Sequence, residues 1–422
     1  MVNSASWNFD FFNSIPFWLS FALFALLSRL FARSPRLRGV LLAVSSSLML
    51  LAIPQFGLAD LALLVALSSV TYFIGLGLIR SVRADNSLRK AATAAGITGV
   101  LAFLAFFKYP FFQGLLTDGS GPTETGDMIR MIGVSYFSFR IIHFLVESYR
   151  KKIERLSPLL YFNYVTFFPS FISGPINRYN QFSSQFGFRD RPDWKRDLKV
   201  GGERIVHGLF KKFVLAQALF PFILASRPES LAQVDFPKAL LGLYAYALYF
   251  YFDFAGYSDM AIGCARILGV ELPENFNNPF LKRNIRELWT NWHISLTSWL
   301  VDHIYWPIVR KFRSFEVFRK HPILLSNVGM IITFIACGMW HGETVNFILW
   351  GAYHGLGISA LTIYQRKKKA VRSMIVQRYF RSRISHAFGV FLTFNYFSVG
   401  LVLFVLDFGK LRILASSILS RI

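Results

Sequence analysis

Residues 61–79 read LALLVALSSVTYFIGLGLI and contain no charged side chain. One helical crossing of a bilayer core needs about 20 mainly apolar residues, so this run predicts a transmembrane helix. A basic loop follows it, and apolar runs separated by short polar loops recur along the chain. The other runs in the first third are 11–31, 39–53, 91–107 and 132–146. The pattern predicts an all-α, polytopic membrane protein with about ten or eleven membrane-embedded segments, some of them re-entrant.

The composition supports this fold class and excludes several functions. Of the 422 residues, 54% are hydrophobic and 16% are charged, whereas soluble domains average about 25% charged residues. The net charge is +23. The basic residues lie between the apolar runs, where positive-inside topology and anionic lipids account for them. Nucleic-acid binding is therefore not expected. Cys264 and Cys337 are the two cysteines, which is too few for a disulfide framework or a thiolate metal site.

The charges of the loops predict the orientation of the chain. The loops after the first, third and fifth apolar runs are basic, whereas the loop at 113–127 is acidic. Basic loops favour the cytoplasmic side of a membrane. We therefore expect the N-terminus to lie outside the cell.

Polar and ionisable residues within apolar sequence concentrate between residues 251 and 354. Such residues are costly in a membrane, so they are candidates for a functional site. His341 stands between Trp340 and Gly342, and the apolar segments 328–337 and 345–361 flank this break. A histidine at such a break could act as a general base toward a hydroxyl. Alternatively, it could only bond a backbone carbonyl that the break leaves unpaired.

His293 is the second candidate for a chemical role. If residues 285–305 form one helix, His293 shares a face with Trp289, Thr297 and Leu300. The tryptophans of this region are also typical of an interfacial belt or of ordinary packing. No His-x-x-x-His or Cys-x-x-Cys spacing occurs, so the sequence predicts no protein-bound metal.

A set of motifs lies around these two histidines. They are GVSYFSFR (133–140), SGPINR (173–178), FVLAQ (213–217), YFYFDFAGYS (249–258), PENFNNPF (273–280), WHISL (292–296) and GMWHG (338–342). Together they resemble the membrane-bound O-acyltransferase family over about residues 132–357. They look most like the bacterial branch that holds the D-alanyl transfer protein of teichoic acid synthesis and the alginate O-acetylation protein.

The resemblance implies a ring of tilted helices around a central funnel, in the bacterial cytoplasmic (inner) membrane. On this basis we expect N-terminal transmembrane helices at 1–131 and a catalytic core at 132–365. A basic cytoplasmic segment and the last transmembrane helix are expected at 366–422.

The same resemblance implies an O-acyltransferase that acylates hydroxyls of an extracytoplasmic glycan or teichoic acid. His341 matches the family's catalytic histidine and would take the hydroxyl proton. His293 matches the second histidine position and could support it or polarise the carbonyl. Substrate contacts are expected from neighbouring side chains, namely Asn277, Asn291, Trp292, Ser295 and Trp340.

The donor implied by the resemblance is an activated acyl group, and no bound cofactor is expected. A D-alanyl thioester on the phosphopantetheine arm of an acidic acyl carrier protein is the first candidate, and acyl-CoA is the other. Basic side chains could steer an acidic carrier. Docking is expected at Arg283, Arg286, Arg366 and Lys367. The alternative is that these charges serve topology and contact membrane lipids.

Other functions and partners are also considered. Accessory cell-envelope acylation proteins are expected partners. An O-acetyltransferase of an alginate-like exopolysaccharide is the alternative within the same family. A transporter or flippase without chemistry is a more distant alternative, and the lack of an internal repeat speaks against it.

Overall fold

The computed structural model describes most of the chain, namely residues 10–31, 34–81, 86–114, 131–185, 193–223, 231, 234–371 and 373–421. Within these ranges the regular elements are helices, and the only strand-like feature is an isolated antiparallel bridge between Phe276 and Trp292. The all-α prediction is therefore confirmed. The acidic loop of the sequence analysis falls largely on residues 115–130, outside the described residues.

Five helices of the first half of the chain, α1 to α4 and α6, match its predicted apolar runs. The helices described in this half are α1 (Ile15–Leu30), α2 (Pro35–Leu51), α3 (Leu58–Arg80), α4 (Asn86–Lys108), α5 (Pro110–Gly114), α6 (Val134–Tyr149), α7 (Pro158–Thr166), α8 (Tyr179–Gln185) and α9 (Trp194–Leu209). Helix α9 continues through a π-helical segment, Phe210–Ala216, into α10 (Gln217–Leu219).

The second half begins with the longest helix, α11 (Phe236–Ile267). The others are α12 (Ile285–Trp289), α13 (Ile294–Leu300), α14 (Trp306–Phe312), α15 (Glu316–Lys320), α16 (Pro322–His341), α17 (Val345–Ala370), α18 (Met374–Arg381), α19 (Arg383–Val405) and α20 (Phe408–Leu419). A π-helical turn, Val301–Tyr305, joins α13 to α14.

Six helical stretches within the described residues are long and apolar enough to cross a membrane. They are Leu58–Arg80, Asn86–Lys108, Trp194–Phe222, Pro322–His341, Val345–Ala370 and Arg383–Val405. The prediction of a polytopic membrane protein is confirmed. The larger number of embedded segments, the funnel and the orientation stay predictions.

The chain separates into two compact units. Of the described residues, those within 10–208 and 257–273 form the N-terminal unit, and those within 209–256 and 274–421 form the C-terminal unit. The division at residues 131 and 365 stays a prediction. Both candidate histidines belong to the C-terminal unit.

Arg140 organises the interior of the N-terminal unit. It lies on α6 and is 1% exposed, and its guanidinium donates to the carbonyl oxygens of Tyr164 and Val165 and to Ser170 Oγ, at 3.2, 3.0 and 2.8 Å. Those acceptors belong to the end of α7 and the irregular segment after it. A planar guanidinium with five donors can satisfy several carbonyls at once, so Arg140 fixes α6 against this segment.

Glycines allow α16 and α17 to pack with their backbones in close approach. A Cβ at Gly338 would lie 3.0 Å from the carbonyl carbon of Phe347 and closer still to its oxygen. A Cβ at Gly351 would lie 2.8 Å from the carbonyl carbon of Phe334. Residues with side chains cannot approach so closely, whereas glycine can. The pairing of these two helices sets the position of the residues at the end of α16.

The last part of the chain extends beyond the long apolar helix α19. The basic residues from Arg366 onward are divided between α17, which continues to Ala370, and α18, which starts at Met374. In addition, α20 follows the expected last span. Its Ser417 Oγ donates to the carbonyl oxygen of Val234 at 3.0 Å, and Leu414 joins a small apolar cluster with Leu231. Tertiary packing of this kind is not visible in local hydropathy.

Candidate active site

His293 lies at a break in the backbone, not within a helix. Its φ of 43° places it in the left-handed region, and α13 begins at the next residue. Residues 285–305 therefore do not form one helix, and the shared face with Trp289, Thr297 and Leu300 that depended on it does not arise. A non-glycine residue in this conformation costs on the order of 1–3 kcal/mol, so its surroundings must hold it there.

Asn275 supplies much of that restraint. Its carbonyl oxygen accepts from the N–H of Ile294 at 2.9 Å, and its Oδ1 accepts from Ser295 Oγ at 2.6 Å. Further along the same pairing, the N–H of Asn277 donates to the carbonyl oxygen of Asn291 at 3.0 Å. Residues 275–277 thus run alongside residues 291–295 and fix the turn at the histidine.

The ring of His293 is 3% exposed and packs edge-on against Phe254, with ring centroids 4.7 Å apart. His293 lies outside the six helical stretches that are long and apolar enough to cross a membrane. Burial lowers the pKa of His293 from 6.5 to about 3. The imidazole is therefore neutral at physiological pH, which suits a hydrogen-bond donor or acceptor better than a cation.

His341 is the last residue of α16. The helix continues through Gly338 to His341, and Gly342, whose backbone is extended, forms the break between α16 and α17. The His341 ring is half-buried. It contacts Trp340, Phe404 and Trp350 at centroid distances of 4.6, 5.0 and 5.2 Å.

Aromatic rings connect the two histidines. Phe254 contacts His293, and Phe404 contacts His341. Phe250 bridges these two phenylalanines, at 6.5 Å from Phe254 and 5.8 Å from Phe404. The structure therefore brings both predicted histidines to one aromatic cluster of the C-terminal unit. An apolar lining of this kind limits access of water to a reacting group.

The predicted substrate residues occupy different positions. Trp292 is 4% exposed and packs on Phe250, and Trp340 lies beside His341. Ser295 is engaged with Asn275, as described above. Asn291 Nδ2 donates to the carbonyl oxygen of Glu287 at 2.8 Å. Asn277 is an exposed loop residue. A role of these residues in substrate binding stays a prediction.

The predicted docking residues come together from two helices. Arg286 of α12 donates to Thr362 Oγ1 at 2.6 Å and to Gln365 Oε1 at 3.4 Å. Thr362 lies about one turn before Arg366, and Gln365 directly precedes it. Arg366 and Lys367 are exposed near the end of α17. Arg283 pairs with Glu287 at 3.0 Å. Arg286 thus connects α12 to α17, Arg366 and Lys367 follow this contact on α17, and Arg283 lies just before α12.

Several residues of the cluster were not singled out from the sequence. Asn275 is 0% exposed, and Phe250 and Phe404 complete the aromatic connection. Trp350 and His354 carried a usable signal, because a spacing of four residues within an apolar run places two side chains on one helical face. Within the described residues, no group of three His, Cys, Asp or Glu side chains is placed to hold a metal ion.

These features define a polytopic helical membrane protein with two histidines at backbone breaks inside an aromatic cluster. The chain matches the MBOAT, membrane-bound O-acyltransferase family, over residues 21–404, and it belongs to that family. The identification from the motifs is thus confirmed.

Three relatives illustrate the range of the family. The chain is 33% identical over 303 residues to the "Probable alginate O-acetylase AlgI" of Azotobacter vinelandii, covering 70% of this chain and 58% of that protein. It is 28% identical over 286 residues to the "Teichoic acid D-alanyltransferase" of Bacillus subtilis (strain 168), covering 66% and 69%. It is 27% identical over 373 residues to the "Peptidoglycan O-acetyltransferase" of Helicobacter pylori, covering 82% and 67%. The match to the first of these relatives therefore spans little more than half of that relative's length.

Proposed function

We propose that this protein is a membrane O-acyltransferase and that His341 is its general base. The observation that carries the proposal is the position of His341, half-buried at the end of α16 among three aromatic rings, in a chain of this family. A base in such a place can act on a hydroxyl while the surrounding rings limit hydrolysis of the donor.

The proposed step is direct acyl transfer. The acceptor hydroxyl oxygen attacks the carbonyl carbon of a thioester, and His341 removes the hydroxyl proton. The new C–O bond forms as the C–S bond breaks, and the proton passes from His341 to the leaving thiolate. The neutral ring of His293 donates a hydrogen bond to the carbonyl oxygen or lines the passage of the acyl chain.

A D-alanyl thioester on an acidic carrier protein is the proposed donor, and teichoic acid is the proposed acceptor. The basic side chains at the junction of α12 and α17 support this choice, because they present positive charge to an acidic partner. The relative named teichoic acid D-alanyltransferase supports it as well. The proposal places this junction in the cytoplasm of a bacterium, the N-terminus outside, and accessory acylation proteins beside the acceptor.

An acetyl group transferred to a polysaccharide is the second candidate. The relatives named alginate O-acetylase and peptidoglycan O-acetyltransferase favour it. The donor would then be an acetyl thioester, including acetyl-CoA, and the basic junction would serve topology and lipid contacts.

Transfer by the purified protein in reconstituted vesicles distinguishes these donors. D-alanyl carrier protein and acetyl donors are supplied separately, and mass spectrometry of the acceptor glycan detects the product. Transfer from the carrier alone supports D-alanylation, whereas transfer only from acetyl donors supports the second candidate. No product with any donor, from a folded protein, would contradict the enzymatic function.

Carrier docking has a separate test. The double variant Arg366→Gln, Lys367→Gln should weaken carrier binding at low salt, with a smaller effect at high salt because salt screens exposed charges. Lys320→Gln is the matched control, since Lys320 is a basic residue with 66% side-chain exposure outside this junction. Equal carrier affinity of both variants and wild type would contradict docking at the junction.

A further inference from the structure

His354 of α17 is an unusual residue of the C-terminal unit. Its side chain is 0% exposed. The rings of Trp350 and Trp289 lie 4.9 and 5.0 Å from the imidazole, both edge-on, and those two indoles lie 5.6 Å from each other. Phe397 adds a further ring at 6.0 Å. The three polar aromatic side chains therefore form one compact group.

The polar atoms of this group have no protein partner within the described part of the chain. This holds for both ring nitrogens of His354 and for the indole N–H groups of Trp289 and Trp350. Buried polar groups in native proteins are nearly always hydrogen-bonded. The two indole N–H groups and one imidazole nitrogen lie on three mutually contacting rings. A shared ligand therefore explains these three atoms better than three separate exceptions.

The donor and acceptor inventory identifies the chemical class of that ligand. An indole offers one donor, and a neutral imidazole offers one donor and one acceptor. The group therefore presents three donors and one acceptor. A carbonyl oxygen has no hydrogen to donate to the acceptor nitrogen of the imidazole. An ammonium group has only donors and would meet three other donors and a single acceptor. A hydroxyl oxygen can accept from both indole N–H groups and donate to the unprotonated imidazole nitrogen, which accounts for three of the four atoms.

We infer that Trp289, Trp350 and His354 form a buried binding site for a hydroxyl group beside His341. Trp350 connects the two, because its ring contacts both His354 and His341, at 4.9 and 5.2 Å. The hydroxyl belongs either to a bound water or to the acceptor substrate. A hydroxyl of the acceptor substrate rests on the proposed function, whereas a bound water does not.

Occupancy of this site fixes the indole of Trp350, and that indole packs against the proposed base. His354 is therefore a positioning residue that acts through Trp350. The imidazole packs directly against α19 at a position without a side chain, because a Cβ at Gly400 would lie 2.7 Å from His354 Nε2. This contact restrains the ring on that side.

Ultraviolet resonance Raman spectroscopy of the indole N–H groups tests the inference. Difference spectra between wild type and the single variants Trp289→Phe and Trp350→Phe isolate the two indoles in the full-length protein. Indole in water and indole in alkane provide the hydrogen-bonded and unbonded references. Indole signals that are hydrogen-bonded in the absence of the acyl-acceptor substrate indicate a bound water. Signals that become hydrogen-bonded only when this substrate is added indicate its hydroxyl group. Unbonded signals in both conditions would overturn the inference.

Two substitutions of His354 provide an independent measurement. His354→Asn keeps a donor and an acceptor and should preserve the hydrogen-bonded indole signals, whereas His354→Phe removes both groups and should lose at least one of these signals. Indole signals that stay hydrogen-bonded in His354→Phe would contradict the assigned site. This readout does not depend on acyl transfer, so it remains decisive if the proposed function fails.

Discussion

Substitution of Gly338 by alanine should disturb the proposed active site from a distance. Gly338 lies three residues before His341, where α16 approaches α17 most closely. An added Cβ would lie 3.0 Å from the carbonyl carbon of Phe347 and 3.3 Å from the nitrogen of Gly351. Non-bonded carbon atoms prefer separations of about 3.5–4.0 Å. The two backbones must therefore move apart by about 0.5–1 Å or more to accommodate one methyl group.

This displacement has two expected consequences. Overpacking of this kind costs about 1–3 kcal/mol of stability. A shift of about 1 Å in a catalytic group can lower the rate by about 100-fold, and His341 follows Gly338 by less than one turn of the helix. We therefore expect Gly338→Ala to lower both the midpoint of thermal unfolding and kcat for acyl transfer.

The assay compares this variant with Gly99→Ala on α4. A Cβ at Gly99 meets no atom within 4 Å, so alanine there should be neutral or stabilise the helix by about 0.4–1 kcal/mol. Both variants are purified in the same detergent, melted, and then assayed in vesicles. If Gly338→Ala matches wild type in stability and rate, the argument from close helix packing is wrong.

Three further predictions concern charged and titratable side chains. Lys212 and Asp253 form an ion pair whose side chains are 8% and 17% exposed. Asp253→Asn should cost about 3–5 kcal/mol because it leaves a buried ammonium unpaired. Glu316 pairs with Lys320, and both side chains are 66% exposed, so Glu316→Gln should change stability by less than about 1 kcal/mol. Denaturant titration in detergent compares the Asp253→Asn and Glu316→Gln variants. Equal losses of stability would contradict the argument from burial. Arg140→Lys should lower the unfolding midpoint by the equivalent of about 1–3 kcal/mol, since lysine cannot reach the same three acceptors; an unchanged midpoint would count against its bridging role. The pKa of His293 is lowered from 6.5 to about 3. As the pH drops from 6.5 toward 3, the imidazole of His293 is protonated in the unfolded chain but not in the folded protein. The free energy of unfolding should therefore fall over this range, by up to about 1.4 kcal/mol per pH unit. His293→Gln should flatten this dependence, and an identical pH profile would refute the neutral assignment.

The sequence predicts the existence of the helices better than their ends. The run at 61–79 identifies α3, because a long uncharged segment is a strong signal of a membrane span. The predicted apolar segment ends at residue 337, directly before Gly338, whereas α16 continues to His341. In the structure this glycine remains helical and serves close packing against α17, a tertiary contact that no local pattern reveals.

The candidate site was predicted in part. Both histidines were identified as polar residues in apolar sequence, and the structure places them at one aromatic cluster. The sequence does not predict the left-handed conformation of His293, because it depends on hydrogen bonds that Asn275, 18 residues earlier, accepts from Ile294 and Ser295. The contact of Phe404 with His341 joins two separate helices, so hydropathy carries no trace of it.

The most direct test of the account is acyl transfer by His341→Ala in reconstituted vesicles. Single-turnover rates, donor binding and the unfolding midpoint are measured alongside wild type, with the donor that wild type uses. General-base catalysis typically contributes about 10²–10⁴-fold. We expect the transfer rate of His341→Ala to fall by at least this factor, whereas the donor affinity and the unfolding midpoint stay unchanged. A variant that is folded and binds the donor but transfers the acyl group at the wild-type rate would contradict the central role of His341.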